Sequence, residues 1–385
     1  MKKHISVLFA ALLISAELPC ITAGAVQAPE TSAKAAVLIS ADTGEIVCGE
    51  NYSEKLPMAS TTKIMTALLC IESGGLDQQF TVDSQAIRVE GSSMGLREGD
   101  TVTKYALCCG MLLPSGNDAA NAAAVRIAGS IPAFAELMNS RARELGMSRT
   151  WFVTPSGLDG EGHGSCAYDM AILAAAALRN DTFREICSSE TIKLEFGDPP
   201  YTRWLRNTNK LLSMYTGTYG VKTGFTDDAG RCLVSACERG GKRLICVTLN
   251  DRNDWNDHMA LYDYGFGAVD TFEPELPADM AVPVAGGASG SVKLTPGGEP
   301  LVLTTAGASQ EDMDYTVISA PYVYAPVSAG DALAELSISF RGREIRRIPL
   351  YSAEDVEYVQ RPARKKSLFE RIKSILSHKA EGKRG

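Results

Sequence analysis

Met58-Ala59-Ser60-Thr61-Thr62-Lys63-Ile64-Met65 places a serine at the mouth of an apolar helix and a lysine three residues later. Residues three apart on a helix share a face, so Ser60 Oγ and Lys63 Nζ fall within hydrogen-bond reach. A serine hydroxyl is a weak nucleophile until a neighbouring base takes its proton. A lysine whose pKa is lowered by burial is such a base. The same spacing fits an N-cap serine followed by a solvated lysine, so the pair alone leaves both readings open. The run from residue 61 to about 72 is apolar on nearly all faces, which places its helix in the middle of a domain. Ser60 then lies among unpaired backbone N–H groups at the positive end of the helix dipole, where negative charge is stabilised.

Outward from this stretch, Ala35–Ser40 reads as a strand, Asp42-Thr43-Gly44 as a turn and residues 45–48 as the returning strand. Residues 105–113 are an apolar helical run that stops at the turn Pro114-Ser115-Gly116-Asn117. Helical character resumes at 118–128, 132–145 and 168–179, with a loop at 154–164. Tyr219-Gly220-Val221-Lys222-Thr223-Gly224 leads into strands at 231–237 and 243–249, joined by a Gly240-Gly241 turn. Helices in the middle with strands at both ends imply an α/β or α+β body whose terminal strands share a sheet. Near residue 273 the composition turns to short alternating runs, which reads as a small all-β domain over 273–352.

The 385 residues are 45% hydrophobic, which fits a globular chain of two or three domains. Lys2 and Lys3, an apolar run from Ile5 and small residues at Ala23-Gly24-Ala25 read as an export signal over 1–25. The nine cysteines beyond it sit mostly in apolar runs, so they read as small core residues and not as a disulfide framework. With four histidines and no close Cys-x-x-Cys pair, neither a metal site nor a cofactor is expected. The net charge of −8 hides an asymmetry, since residues 361–385 carry nine Lys/Arg against two Glu. Leu368, Phe369, Ile372, Ile375 and Leu376 recur there at helical spacing, giving a basic amphipathic helix suited to an anionic membrane surface. Nucleic acid is not an expected partner of an exported acidic body.

Three short motifs stand in order: Ser60-Thr61-Thr62-Lys63, Ser115-Gly116-Asn117 and Lys222-Thr223-Gly224. Each alone is weak, but together and in this order they are the set found in penicillin-binding proteins and class A β-lactamases. With Leu112-Leu113-Pro114 before the second motif, Thr154-Pro155-Ser156-Gly157-Leu158-Asp159 with His163, and Phe225-Thr226 after the third, the chain resembles the serine-type D-alanyl-D-alanine carboxypeptidases. The resemblance covers residues 34–268 well. It implies a β-lactamase/transpeptidase-like α/β (α+β) domain over 30–270, the β-rich domain at 273–352 and a membrane-associating tail at 361–385.

The resemblance also implies roles. Ser60 is the nucleophile, Lys63 its general base, and Ser115 relays a proton to the leaving D-alanine. Asn117 holds the substrate backbone, and Lys222 and Thr223 meet the terminal carboxylate. Gly224 lets its strand pass close to substrate. The N–H groups of Ser60 and Phe225 form the oxyanion hole. The implied substrate is the peptidoglycan pentapeptide, with β-lactams as inhibitors, on the outer face of the cytoplasmic membrane. His163 reads as a loop-stabilising residue, because the lysine already supplies the base. Arg252 lies near a position where some relatives bind the carboxylate, but it is not cleanly aligned. A β-lactamase would need a glutamate to activate its deacylating water, and residues 149–160 contain none. A catalytically idle wall-binding protein is the other alternative, and the presence of every reactive residue speaks against it.

Overall fold

The computed structural model describes residues 27–360, so the export signal and the basic tail lie outside the described residues. Strands β1 (Ala35–Ser40) and β2 (Ile46–Glu50) form the expected hairpin. A 3₁₀ turn, Ala59–Thr62, feeds helix α1 (Lys63–Glu72). Ser60 therefore sits inside a tight turn and makes no N-cap hydrogen bond, which corrects the simple helix-mouth picture. The short ladder β3 (Gln79–Thr81) with β4 (Thr101–Thr103) precedes α2 (Lys104–Leu112), α3 (Asn117–Ala128), α4 (Ile131–Glu144) and α5 (Ala167–Leu178).

Several elements were not marked by the sequence patterns. Helix α6 (Asp181–Ser188) is short and starts where the Asn180 side chain accepts a hydrogen bond from Phe183 N. The hairpin β5 (Thr191–Gly197) with β6 (Pro200–Arg206) is mostly solvent-facing, so no apolar alternation announces it. After α7 (Leu211–Met214) come β7 (Thr218–Thr226), β8 (Gly230–Arg239) and β9 (Lys242–Leu249). Helix α8 (Asp254–Ala268) follows; buried Asp254, Asp257 and His258 interrupt its apolar face, which hid its period.

These strands build one antiparallel sheet in the order β2-β1-β9-β8-β7, so the two ends of this body share a sheet, as expected. Successive side chains of a strand face opposite ways. Val37 and Ile39 of β1 join the large core beneath α1, α2 and α5, whereas Leu38 joins Leu261 and Tyr262 of α8 on the other face. With both faces covered, the strands read as continuous apolar runs. Strand β7 lies at the edge, which leaves one side of its backbone open.

The chain then forms β10 (Asp270–Phe272), β11 (Ala281–Ala285), β12 (Ser291–Pro296), β13 (Leu303–Thr305), β14 (Met313–Ser319), β15 (Val323–Tyr324), β16 (Ala332–Phe340) and β17 (Arg343–Ser352). Six of them make a second sheet, β14-β16-β17-β12-β11-β15, over its own apolar core. This β-domain docks on the β1–β2 turn. Ser40 Oγ donates to Thr304 O at 2.6 Å, Thr304 N donates to Asp42 at 2.8 Å, and Arg341 pairs with Glu45 at 3.1 Å.

All nine cysteines of the described region are free; eight are buried and Cys48 is partly so. No helix among the described residues is long and apolar enough to cross a membrane.

Candidate active site

Ser60 is presented by a backbone turn in a restricted conformation. Ala59 has φ 49°, in the left-handed region that non-glycine residues seldom adopt. Thr61 fixes the turn by donating from both its N–H (3.3 Å) and its hydroxyl (2.6 Å) to Met58 O. Gly157 closes it from the other side, since a Cβ there would lie 2.0 Å from Ala59 O. Two neighbouring threonines tie the loop of residues 153–163 to this turn: Thr66 Oγ1 donates to Pro155 O at 2.6 Å, and Thr62 Oγ1 meets His163 Nε2 at 3.0 Å. Val153 N–H donates to His163 Nδ1 at 3.0 Å, which assigns the ring proton to Nε2 and makes Thr62 its acceptor. Burial first, and then the Lys55 charge, push the His163 pKa down to about 4. The ring is thus a neutral strut, as its reading as a structural residue requires.

Lys63 is fully buried, and its amine touches three oxygens: Ser60 Oγ at 2.8 Å, Asn117 Oδ1 at 2.7 Å and Ser156 O at 2.6 Å. The last two can only accept. A neutral amine has two N–H groups and one lone pair, so those acceptors take both hydrogens and the lone pair is left for the Ser60 hydroxyl. Burial, followed by the charge of Lys222, holds the Lys63 pKa well below the ordinary lysine value, with Asp118 pulling weakly the other way. Burial and the Lys222 charge therefore favour the neutral amine, and in that form the two acceptors leave its lone pair to the Ser60 hydroxyl.

The second motif supplies the wall. Ser115, at φ 67°, turns the chain from α2 into α3 and faces the cleft. Asn117 is also engaged inside the protein: its Oδ1 accepts from Lys63 and one Nδ2 hydrogen goes to Glu90 O at 2.7 Å, and its amide nitrogen carries a second hydrogen beyond these two bonds. Asp118 beside it gathers the N–H groups of Met94, Gly95 and Leu96 and the Ser93 hydroxyl, and so fixes the loop over the cleft.

The third motif lies on edge strand β7. Thr223, Gly224 and Phe225 line the cleft, whereas Lys222 is buried beneath it and donates to Thr223 O at 2.8 Å. Desolvation brings the Lys222 pKa down to about 7. Gly224 proves to be a close-approach position, although the partner is the protein's own backbone: a Cβ there would stand 3.0 Å from Met58 O and 3.1 Å from Ser60 N. This contact sets the nucleophile turn against the open edge of β7.

The cleft encloses about 600 Å³. Sequence reasoning missed several of its residues. Thr208 bridges Thr223 Oγ1 at 2.7 Å and reaches Leu113 O, binding the third motif to the second. Arg231 lies on the cleft wall, where Asp254 holds it bidentately, accepting from Nη2 at 2.7 Å and from Nε at 3.1 Å, and Trp255 lies under its guanidinium. The Asp251/Asp254/Asp257 cluster was visible in sequence, and one clue to Arg231 was present there: a buried carboxylate needs a cation. Asp251 and Asp257 instead tie down Ser32. Arg252 does not line the cleft.

The profile of the D-alanyl-D-alanine carboxypeptidase family matches residues 22–253. The chain belongs to the D-alanyl-D-alanine carboxypeptidase family. It is 33% identical over 339 residues to D-alanyl-D-alanine carboxypeptidase DacF of Bacillus subtilis, covering 84% of this chain and 86% of that one. DacC of Escherichia coli is 32% identical over 349 residues, with 86% of each covered. Among solved structures, a D-alanyl-D-alanine carboxypeptidase from Mycobacterium tuberculosis superposes with a TM-score of 0.60 at 31% identity, covering 64% of this chain and 95% of its own. A Streptomyces DD-transpeptidase gives a TM-score of 0.60 at 30% identity, over 63% and 100%. This carboxypeptidase-family chain is accordingly a serine peptidase of the penicillin-binding fold.

Proposed function

We propose that the chain removes the terminal D-alanine from peptidoglycan stem peptides through an acyl-enzyme on Ser60. The observation that carries this reading is the Lys63 amine, 2.8 Å from Ser60 Oγ with both of its hydrogens spoken for. Ser60 attacks the carbonyl of the penultimate residue while its proton passes to Lys63. The N–H groups of Ser60 and Phe225 receive the developing oxyanion. Lys63 passes that proton through Ser115, on the cleft wall, to the departing D-alanine amine and is neutral again. Lys63 then activates the water that releases the product acid.

The substrate chain lies along the open edge of β7, adding a strand to the sheet. Thr223 and its partner Thr208 offer hydroxyls to the terminal carboxylate. Lys222 acts from below by its field, and the carboxylate raises its pKa from about 7 and keeps it charged. Arg231, paired with Asp254, adds guanidinium N–H donors to the cleft wall. Asn117 positions Lys63. β-Lactams acylate the same serine. The export signal at 1–25, the catalytic body, the β-domain and the tail complete the proposal of an enzyme held at the outer membrane face.

The test is D-alanine release from diacetyl-Lys-D-Ala-D-Ala. Wild-type protein should release D-alanine and Ser60→Ala should not. Release by neither form, or by both, sinks the reading.

A further inference from the structure

A second cleft, larger than the one at Ser60 at about 1010 Å³, opens where the β-domain meets the catalytic body. Several of its charges are already neutralised. Arg243 pairs with Asp42 at 2.8 Å, Arg184 with Asp181 at 2.8 Å, and Arg347 with Glu344 at 2.9 Å. Arg179, at the end of α5, and Arg346, on β17, line the same cleft with no carboxylate in ion-pair distance among the described residues. Arg343 of β17 is also without one. It reaches to the β1–β2 turn, where a Cβ on Gly44 would lie 2.6 Å from its Nη1.

The clustering is built into the fold. The pairing of β16 with β17 shifts between Ile338 and Ser339, so β17 carries a bulge at this point. Ile345, Arg346 and Arg347 consequently all reach the cleft wall, which strict strand alternation forbids. The three arginines feel one another: desolvation, then the charge of Arg343, and more weakly that of Arg346, lower the Arg179 pKa, with Asp42 and Glu344 opposing. Unneutralised cations gathered from two domains of an acidic chain are stabilised by an anion set among them.

We propose that this interdomain cleft binds a phosphate diester, with Arg179 of the catalytic body and Arg346 of the β-domain as its receptors and Arg343 behind them. Planar guanidinium forks match phosphate oxygens two at a time. The apolar floor of Leu178, Leu303 and Ile345 suits the ester carbons beside the phosphorus. The site is separate from Ser60 and does not depend on the reading of the catalytic function. Such a phosphate comes either from a soluble polyol-phosphate polymer or from a phospholipid headgroup.

The full chain is titrated with poly(glycerol phosphate) by calorimetry, and the chain without residues 361–385, whose basic tail would itself bind the vesicles, is sedimented with phosphatidylglycerol vesicles, both at near-physiological salt. Wild type should bind at least one of these probes, and Arg179→Gln/Arg346→Gln should weaken that binding at least tenfold. Penicillin acylation should stay unchanged in the variant, which also reports that it is folded. Polymer binding lost in the variant assigns the phosphate to a soluble polymer, and vesicle binding alone lost assigns it to a lipid headgroup. Arg88→Gln, at a distant surface ion pair, should leave both unaltered. No wild-type binding to either probe, equal binding by the double variant, or equal weakening by Arg88→Gln would overturn the proposal.

Discussion

At the scale of single residues, the site turns on where Lys63 keeps its hydrogens. Asn117 Oδ1 and Ser156 O hold two of them, and burial with the Lys222 charge favours loss of the third. Lys63→Ala should cut the acylation rate by about 10²–10⁴-fold, the usual worth of a positioned general base; stopped-flow acylation by a fluorescent penicillin measures it. Asn117→Ala strands a buried N–H of Lys63 and the Glu90 carbonyl, which costs about 1–3 kcal/mol of stability and should slow acylation too; urea unfolding and the same kinetics check both. Lys222 sets a pH signature. Its pKa in the free protein is about 7, so the cation is lost as pH rises through that value. Hence kcat/KM for a carboxylate-ending peptide should fall above about pH 7, and Lys222→Met should remove this limb. A flat profile in wild type contradicts the role given to Lys222.

At the scale of elements, the nucleophile is shaped by three pieces of chain that meet edge to edge: the 3₁₀ turn, the loop of residues 153–163 and strand β7. Gly224→Ala would push β7 away from Met58 O and Ser60 N, both within 3.1 Å of the added carbon. Penicillin acylation should be strongly reduced with the fold retained, as read by kinetics beside circular dichroism. Normal kinetics would show that the contact is not needed.

Much of this level was legible in sequence. The β1–β2 hairpin, α1 to α5 and the β8–β9 hairpin announced themselves by apolar runs closed by turn residues. The three motifs gave Ser60, Lys63 and Ser115 places at element junctions. Contacts between elements were hidden. The Ser156 carbonyl is a backbone group with no signature, Thr208 looks like any loop threonine, and Arg231 heads its strand run beside a turn glycine, where a solvated arginine is ordinary. The internal partners of Asn117, the Lys63 amine and the Glu90 carbonyl, were hidden too, because spacing cannot show them.

At the scale of the whole molecule, one sheet carries helices on both faces and a second, separately cored β-domain rests on the β1–β2 turn. The face under α8 contains a fully buried polar network: His258 Nδ1 meets Ser235 Oγ at 2.6 Å, its Nε2 meets Thr248 Oγ1 at 3.1 Å, and Ser235 also meets Tyr262. Burial lowers the His258 pKa to about 3, as it lowers that of His163 to about 4. In the unfolded chain both rings take protons near pH 6.5. Between that value and about 4 the unfolded state therefore binds more protons, and stability falls as pH falls. The stabilisation is fully present above pH 6.5 and declines below it. Urea midpoints at pH 7 and pH 5 should differ in that direction, and His258→Gln should reduce the difference; equal midpoints would count against the neutral, buried histidines.

The account rests on Ser60 as the acylated atom. The most direct measurement is tandem mass spectrometry of tryptic peptides after labelling with penicillin. Wild-type protein should carry the penicilloyl group on Ser60, within the peptide of residues 56–63, and Ser60→Ala should carry none. An adduct on any other residue, or a labelled Ser60→Ala protein, would contradict it.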